Sequence, residues 1–397
     1  MEPIKITDSV YWVGAIDYDI RDFHGYLTPK GSTYNAYLIV NDKKITLIDT
    51  VKHGFEEELL SRVSKIVDPK KIDQVVSNHA EMDHSGGLPG ILRHIGLEKP
   101  VYASSMGVKN LGGQFQGAGL NLKAVESKLD VGEDLVFIET RMIHWPDSMF
   151  SFLPAQGLLF SQDGFGMHLA CPERFDDQVD EKTWGPLALN YFANILTPYT
   201  VQIAKVLEKV VAEGLAAQFK ILCPDHGFIW RQNPGRILEL YSQWVQQKPS
   251  QKAVIVFDTM WHSTEFMARV LTDYMAGQGI ETRYHSLKNT HRSEVATDCY
   301  EAAAIIIGTP TINNQLFPSV SDFITYIKSL KFKNKIGGAF GSYGWSGEGA
   351  KLVQSELKTM GYQVPADEVR YQWVPQEKDL DPLKALGKTI ADEIKKL

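Results

Sequence analysis

Beyond residue 252 this 397-residue chain alternates strictly between β and α patterns, and that alternation constrains its fold more than any other feature. Ala253–Phe257, Glu281–Leu287, Ala302–Ile307, Lys335–Phe340 and Val369–Val374 read as strands, and Thr264–Ala276 as a helix. The last segment, Pro382–Leu397, repeats Leu383, Leu386, Ile390, Ile394 and Leu397 at helical spacing. Parallel neighbours need crossover connections, so five strands with helices between them predict a doubly wound parallel sheet. A polar stretch, Gln246 to Lys252, carries the helix-stopping Pro249 and sets the predicted boundary: one domain over 1–248, a second over 253–397.

The first half reads differently. Tyr34–Val40 and Ile45–Asp49 predict a hairpin, Phe55–Val67 a helix, and Asp73–Ser77 a short buried strand. Val101–Ala103, Val136–Ile143, Gly157–Ser161 and Phe219–Cys223 read as strands, Leu187–Leu196 and Thr200–Ala212 as helices.

Composition narrows the function. The 41 Lys and Arg against 48 Asp and Glu leave a formal charge of −7, so no global basic excess exists to grip a nucleic acid. Cys171, Cys223 and Cys299 form no Cys-x-x-Cys pair, which excludes a disulfide framework, a thiolate zinc ribbon and a built-in rubredoxin-type or iron–sulfur module. Met1–Asp8 is not a signal peptide, and runs such as Ala302–Gly308 fall short of the roughly 20 residues that span a bilayer. A soluble cytoplasmic protein, bound neither to membrane nor to nucleic acid, is expected.

Directly after the strand ending at Ser77 comes His79-Ala80-Glu81-Met82-Asp83-His84. In an extended segment alternate residues face one way, so His79, Glu81 and Asp83 converge, with His84 turning in beside them. One such residue is ordinary in a polar loop; four adjacent ones are not. Further candidate ligands follow strand ends: His144 after Val136–Ile143, Asp163 after Leu158–Ser161, and His226 after Ile221–Cys223. Each alone suits a core histidine or a turn residue. Together they set ligand types along one rim of a sandwich.

In the second half, Asp258-Thr259-Met260-Trp261-His262-Ser263-Thr264 leads from a strand into a helix, where hydroxyls and backbone N–H groups make a phosphate nest. It matches neither the triphosphate loop Gly-x-x-x-x-Gly-Lys-Ser/Thr nor the dinucleotide pattern Gly-x-Gly-x-x-Gly, and it offers only neutral donors, which suits a monophosphate. Thr309-Pro310-Thr311-Ile312-Asn313-Asn314 and Ser342-Tyr343-Gly344-Trp345-Ser346-Gly347 follow the third and fourth strands and supply backbone amides and aromatic faces. These three loops resemble the FMN-binding loops of flavodoxin. One departure is His262, where many relatives carry glycine.

His-x-Glu-x-Asp-His with later His, Asp and His resembles the metallo-β-lactamase fold, and in particular the flavodiiron protein family. Hydrolases of that superfamily usually read His-x-His-x-Asp-His and bind zinc; Glu81 replaces the middle histidine, and carboxylate is the harder ligand. The resemblance covers nearly the whole chain. It implies an N-terminal αββα sandwich, α+β in class, followed by a flavodoxin-like α/β domain with a five-stranded parallel sheet. It further implies one iron on His79, Glu81 and His144, another on Asp83 and His226, and Asp163 bridging. His84 either coordinates the second iron or stands behind a water. His24 and Tyr26 match positions that deliver protons or hydrogen bonds, though a core tyrosine is an equal reading of Tyr26.

The implied activity is reduction of O2 to water, or of NO to N2O, at the diiron centre, with electrons entering through FMN. Rubredoxin is the expected donor because no such module lies in this chain. A head-to-tail homodimer is implied, placing one subunit's FMN against the other's irons. Two other readings stay open: a zinc-dependent hydrolase of the same fold fused to a flavodoxin-like domain, and an electron-transfer flavoprotein with a structural metal. Glu81 argues against the first and the absence of thiolate ligands against the second.

Overall fold

The computed structural model describes residues 1–397. It divides into two compact units. One comprises Met1–Phe23, Thr28–Tyr191 and Tyr199–Val245; the other comprises Gln246–Leu397 together with the short segments His24–Leu27 and Phe192–Pro198.

The first unit pairs two sheets. A seven-stranded sheet runs Ile4–Lys5, Val10–Trp12, Tyr37–Val40, Ile45–Ile48, Gln74–Ser77, Pro100–Ala103, Asn121–Ala124, antiparallel at its start and parallel from Ile45–Ile48 onward. A five-stranded sheet runs Lys128–Asp130, Asp134–Glu139, Met149–Leu153, Leu158–Gln162, Ile221–Pro224. Side chains alternate across each strand, and the two cores follow that period. Tyr37, Ile39, Ile48 and Val76 face the other sheet, where Leu135, Met149, Leu158 and Phe160 meet them. Leu38, Leu47 and Val75 point the opposite way, onto Leu59 and Val63 of the helix Glu56–Val63 and Leu88, Ile91 and Leu92 of the helix Leu88–Ile95. Tyr37 reaches across to donate its hydroxyl to Pro224 O at 2.5 Å.

The second unit is a five-stranded, wholly parallel sheet in the order Glu281–Ser286, Ser250–Phe257, Ala302–Pro310, Ile336–Tyr343, Val369–Gln372. In chain order that is 2-1-3-4-5, the doubly wound arrangement of flavodoxin. Ile255, Phe257, Ile306 and Phe340 pack under the helices Ser263–Gly277 and Asp381–Ile394. Val254, Val256, Ile305 and Ile307, on the opposite face, are equally buried, as a parallel sheet covered on both sides requires. No helix is long and apolar enough to cross a membrane.

Several elements differ from their sequence patterns. The strand expected over 136–143 is Asp134–Glu139: beyond it the chain turns, with Met142 at φ 65°. The last strand stops at Gln372, because Trp373 takes φ 62° and leaves the sheet. The helix expected from Leu187 runs over Glu181–Tyr191 with Pro186 inside it; burial of Trp184, Ala188 and Tyr191 holds the turn that the proline weakens.

Candidate metal centre and flavin cleft

His79 leaves the end of the strand Gln74–Ser77, and Asp147 fixes it there. The Asp147 carboxylate accepts from Ala80 N–H (2.7 Å) and from His79 Nδ1 (3.1 Å), while Asn110 Nδ2 holds its other oxygen at 2.9 Å. With Nδ1 engaged, His79 Nε2 faces inward, 3.2 Å from Glu81 Oε2 and 3.3 Å from Asp163 Oδ2. His144 Nε2 meets the same two oxygens, each at 3.1 Å.

A second set lies beside the first. Asp83 and His84 stand on a short helix, Met82–Ser85, rather than on extended chain. His226 Nε2 is 3.1 Å from Asp83 Oδ2 and 3.4 Å from Asp163 Oδ1. His226 is turned by its own Nδ1, which donates to Thr33 O at 2.6 Å. His84 Nε2 also points inward, 3.1 Å from Asp163 Oδ1 and 3.4 Å from Asp83 Oδ1, with Asp225 Oδ2 3.3 Å behind its Nδ1. Asp163 is placed by the irregular end of its strand: Gln162, at φ 42°, accepts Asp163 N–H at 2.7 Å and donates to Ile143 O at 2.6 Å.

Asp163 therefore shows Oδ2 to His79 and His144 and Oδ1 to His84 and His226. The donor atoms form two clusters, His79, Glu81, His144 and Asp163, and Asp83, His84 and His226. Nearly all of these side chains are buried, and both Asp83 oxygens and Asp163 Oδ2 have no hydrogen-bond partner. His79 Nε2 with Glu81 Oε2 and His84 Nε2 with Asp163 Oδ1 keep hydrogen-bond geometry, whereas the orphaned Asp83 and Asp163 oxygens face imidazole nitrogens without it, which fits cations between them. The donors are carboxylate and imidazole only, a set that suits non-haem iron.

Electrostatics points the same way. Burial alone would push the Asp163 carboxyl up, but His84, His144 and His79 around it hold it well below the usual carboxylate range. Burial would lower the imidazoles, yet the carboxylates outweigh it: His84 is pushed up to about 10, His144 to about 9, and His79 well above its ordinary value. Without metal the cluster keeps protons where cations fit.

The surrounding side chains Asp147, Asp225, Ser32 and His168 escaped the sequence reading as site residues. Ser32 Oγ lies 2.6 Å from His168 Nδ1 and 3.2 Å from His226 Nδ1, and the two imidazole rings are 4.5 Å apart. Asp225 adjoins His226 in sequence and Asp147 shares the His144 loop, so proximity could have signalled them; for Ser32 and His168 no sequence signal exists. His24 and Tyr26 belong to the second unit. There Arg292 donates to Gly25 O at 3.1 Å and Leu27 N–H donates to Ser293 Oγ at 3.1 Å.

At the carboxyl ends of the parallel strands, a cleft of about 360 Å³ opens, a size typical of small-ligand sites. Met260, Trp261 and Ser263 line it from the first loop, Pro310, Thr311 and Asn313 from the second, and Ser342, Tyr343, Gly344, Trp345 and Ser346 from the third. Thr264, Thr309 and Gly347 support it from behind. Thr264 Oγ1 lies 2.9 Å from Ser342 Oγ, Thr309 Oγ1 accepts Phe317 N–H at 3.2 Å, and Gly347 turns at φ 102° against the Tyr343 ring. Ile312 pairs with Gln315, and Asn314 takes φ 60° in the turn between them. His262 has φ 68°, a conformation glycine adopts freely, and its ring is largely exposed beside Glu265.

Trp373 and Val374, read from the sequence as the end of the last strand rather than as cleft residues, complete the wall. The rule that placed the other loops, ligands beyond strand carboxyl ends, would have found them had the fifth strand been ended at Gln372. The Thr259 hydroxyl is buried without a hydrogen-bond partner in the first loop, and the helix Ser263–Gly277 has no side-chain cap. An orphaned hydroxyl beside an uncapped helix N-terminus fits a flavin monophosphate.

Fold and sites define a metallo-β-lactamase-like domain with a paired carboxylate–histidine centre, joined to a flavodoxin-like domain. Residues 33–227 match the family described as ODP family beta lactamase, and residues 255–385 match Flavodoxin. The chain is 43% identical to the rubredoxin-oxygen oxidoreductase of Megalodesulfovibrio gigas, covering 100% of this chain and 99% of that one. It is 41% identical to the nitric oxide reductase of Moorella thermoacetica, over 99% of both chains. The crystal structure of the flavodiiron protein from Giardia intestinalis superposes with a TM-score of 0.93 at 32% identity, covering 100% of this chain and 98% of that one. The chain belongs to the flavodiiron protein family, and it is an oxidoreductase with FMN and a diiron centre.

Proposed function

We propose that the protein reduces O2 to water, NO to N2O, or both, with electrons passed from rubredoxin through FMN. The observation that carries this reading is the division of Asp163, one carboxylate oxygen facing His79 and His144 and the other facing His84 and His226. In this reading His79, Glu81 and His144 would hold one iron and Asp83, His84 and His226 the other, with Asp163 offering one oxygen to each set. The inward direction of His84 Nε2 supports its place among the ligands.

When bound, FMN and the two irons supply the electrons for gas reduction. The chain's own residues orient and exclude. Asp147 and Thr33 O engage the outer nitrogens of His79 and His226, so that their Nε2 lone pairs face the centre. Burial of the cluster keeps bulk water away from the reacting gas. Thr259 and Ser263, with the backbone N–H of Thr264, would hold the flavin phosphate at the uncapped helix N-terminus, and Trp345 and Trp373 would offer apolar faces to the ring system.

Trp261, Trp345, Trp373 and Val374 are all more than half exposed on one chain at the cleft rim. So much apolar surface supports a covering partner, which we assign to a second subunit in a head-to-tail homodimer, with rubredoxin reaching the flavin from the remaining side. The three unpaired cysteines support work in the reducing cytoplasm.

Anaerobic stopped-flow mixing of the reduced, metal-assayed protein with each gas tests the proposal. About two irons per chain and rapid flavin reoxidation by at least one gas are expected. Zinc in place of iron, or reduced flavin inert to both gases, would overturn it.

A further inference from the structure

Two helices of the second unit begin on the same pattern. His262-Ser263-Thr264-Glu265 opens Ser263–Gly277, and His291-Arg292-Ser293-Glu294 opens Arg292–Glu301; each has histidine at the N-cap and glutamate three residues on. A glutamate there ordinarily folds back onto the N-cap N–H. At 291–294 it does: His291 N–H donates to Glu294 Oε2 at 3.3 Å, Ser293 N–H donates to His291 Nδ1 at 3.3 Å, and the reciprocal cap is complete.

At 262–265 it does not. His262 has φ 68° and ψ −3°, against φ −69° and ψ 143° at His291, and no side chain caps the helix. Glu265 is drawn outward instead. Its Oε2 accepts from His262 Nδ1 at 2.7 Å and its Oε1 from Arg269 Nη2 at 2.5 Å, so both oxygens are engaged along the helix flank. The His262 contact, with Arg269 behind it, holds the Glu265 carboxyl below its usual range, so the group is an anion. The other acid of the loop is occupied too: Asp258 accepts from Thr259 N–H at 2.6 Å and from the Ser319 hydroxyl.

A free carboxylate in the first turn would take the N–H groups that a phosphate needs and repel its charge. We propose that His262 is a positioning residue for the flavin phosphate: it holds Glu265 off the N-terminus of the helix Ser263–Gly277, keeps that end open, and so makes the cleft select the phosphorylated flavin. This rests on the reading of the cleft as an FMN site. The left-handed backbone at a non-glycine residue is the conformation that lets the imidazole reach outward to Glu265.

The test is titration of full-length, flavin-stripped protein with FMN and with riboflavin, followed by quenching of flavin fluorescence. His262→Gly keeps the backbone conformation accessible and removes the imidazole. FMN binding should weaken roughly three- to tenfold while riboflavin binding stays the same. Glu265→Ala added to that variant should restore FMN binding. Equal effects on the two flavins, no effect on either, or no restoration would overturn the proposal. If the unsubstituted protein bound neither flavin, the FMN assignment itself would fall instead.

Discussion

His79 Nδ1 lies 3.1 Å from Asp147 Oδ2, on the far side of the ring from the Nε2 that faces Glu81 and Asp163. Asp147 is itself buried, and burial would push its carboxyl up; His79 and the Ala80 N–H instead hold it below its usual range. One carboxylate thus sets both the ring's tautomer and the path of the ligand loop. Asp147→Ala should lower metal affinity at the His79 position by about 10- to 100-fold while flavin content stays the same. Metal titration with parallel flavin absorbance checks this; full metal retention would show that His79 needs no such partner.

Glu81 provides a second test. Its Oε2 lies between His79 and His144, and alanine there removes one charge and one donor from a single cluster. Glu81→Ala should lose iron from that cluster and abolish gas consumption, with FMN retained. Substantial gas reduction by the variant would contradict the diiron assignment.

How much of this was legible in the sequence depends on how local the signal is. Glu81 and Asp83 stood out because ligand types crowd one short loop, and the Thr259–Thr264 loop because it joins a strand to a helix. Asp163 and His226 were singled out from strand ends, since the period of the flanking residues marks where a strand stops. Ser32 and His168 left no trace, because they approach His226 only through tertiary packing. Trp373 was hidden by a two-residue question of strand length, decided by a left-handed backbone that composition does not announce. The segments His24–Leu27 and Phe192–Pro198 join the second unit through contacts such as Arg292 to Gly25 O and Asn194 to Thr297, which no hydrophobic period encodes.

The protons held by the metal-free cluster give a third prediction. His84 is pushed up to about 10 and His144 to about 9, so both are protonated at neutral pH until a cation displaces the proton. Metal uptake by stripped protein should therefore strengthen as pH rises from 6 to 8, with protons released on binding. The stability of the stripped form runs the other way. Folded-state pKa values raised above the unfolded ones stabilise it fully below the ordinary histidine range, and this contribution fades as pH rises through about 9 and 10. Calorimetric titration with Fe²⁺ or Zn²⁺ in two buffers of different ionisation enthalpy measures the proton count; a count near zero would mean that the imidazoles are already neutral.

Lys335 carries the opposite sign. Its Nζ is buried and donates to Tyr300 O and Ala302 O, each at 2.6 Å, joining the end of the helix Arg292–Glu301 to the strand Ala302–Pro310. Burial pushes the amine down to about 7, while the unfolded chain keeps the ordinary lysine value near 10. Between those values the unfolded state binds the extra proton, so the contribution of Lys335 to stability rises with pH across that window, by about 1 kcal/mol per pH unit. Lys335→Met removes the titrating group and leaves two carbonyls without their donor, so the variant should be less stable at high pH. The sharper readout is the slope. Denaturant unfolding from pH 7 to pH 10 should rise less steeply in the variant than in the unsubstituted protein, and parallel slopes would show that the Lys335 amine stays protonated in the fold.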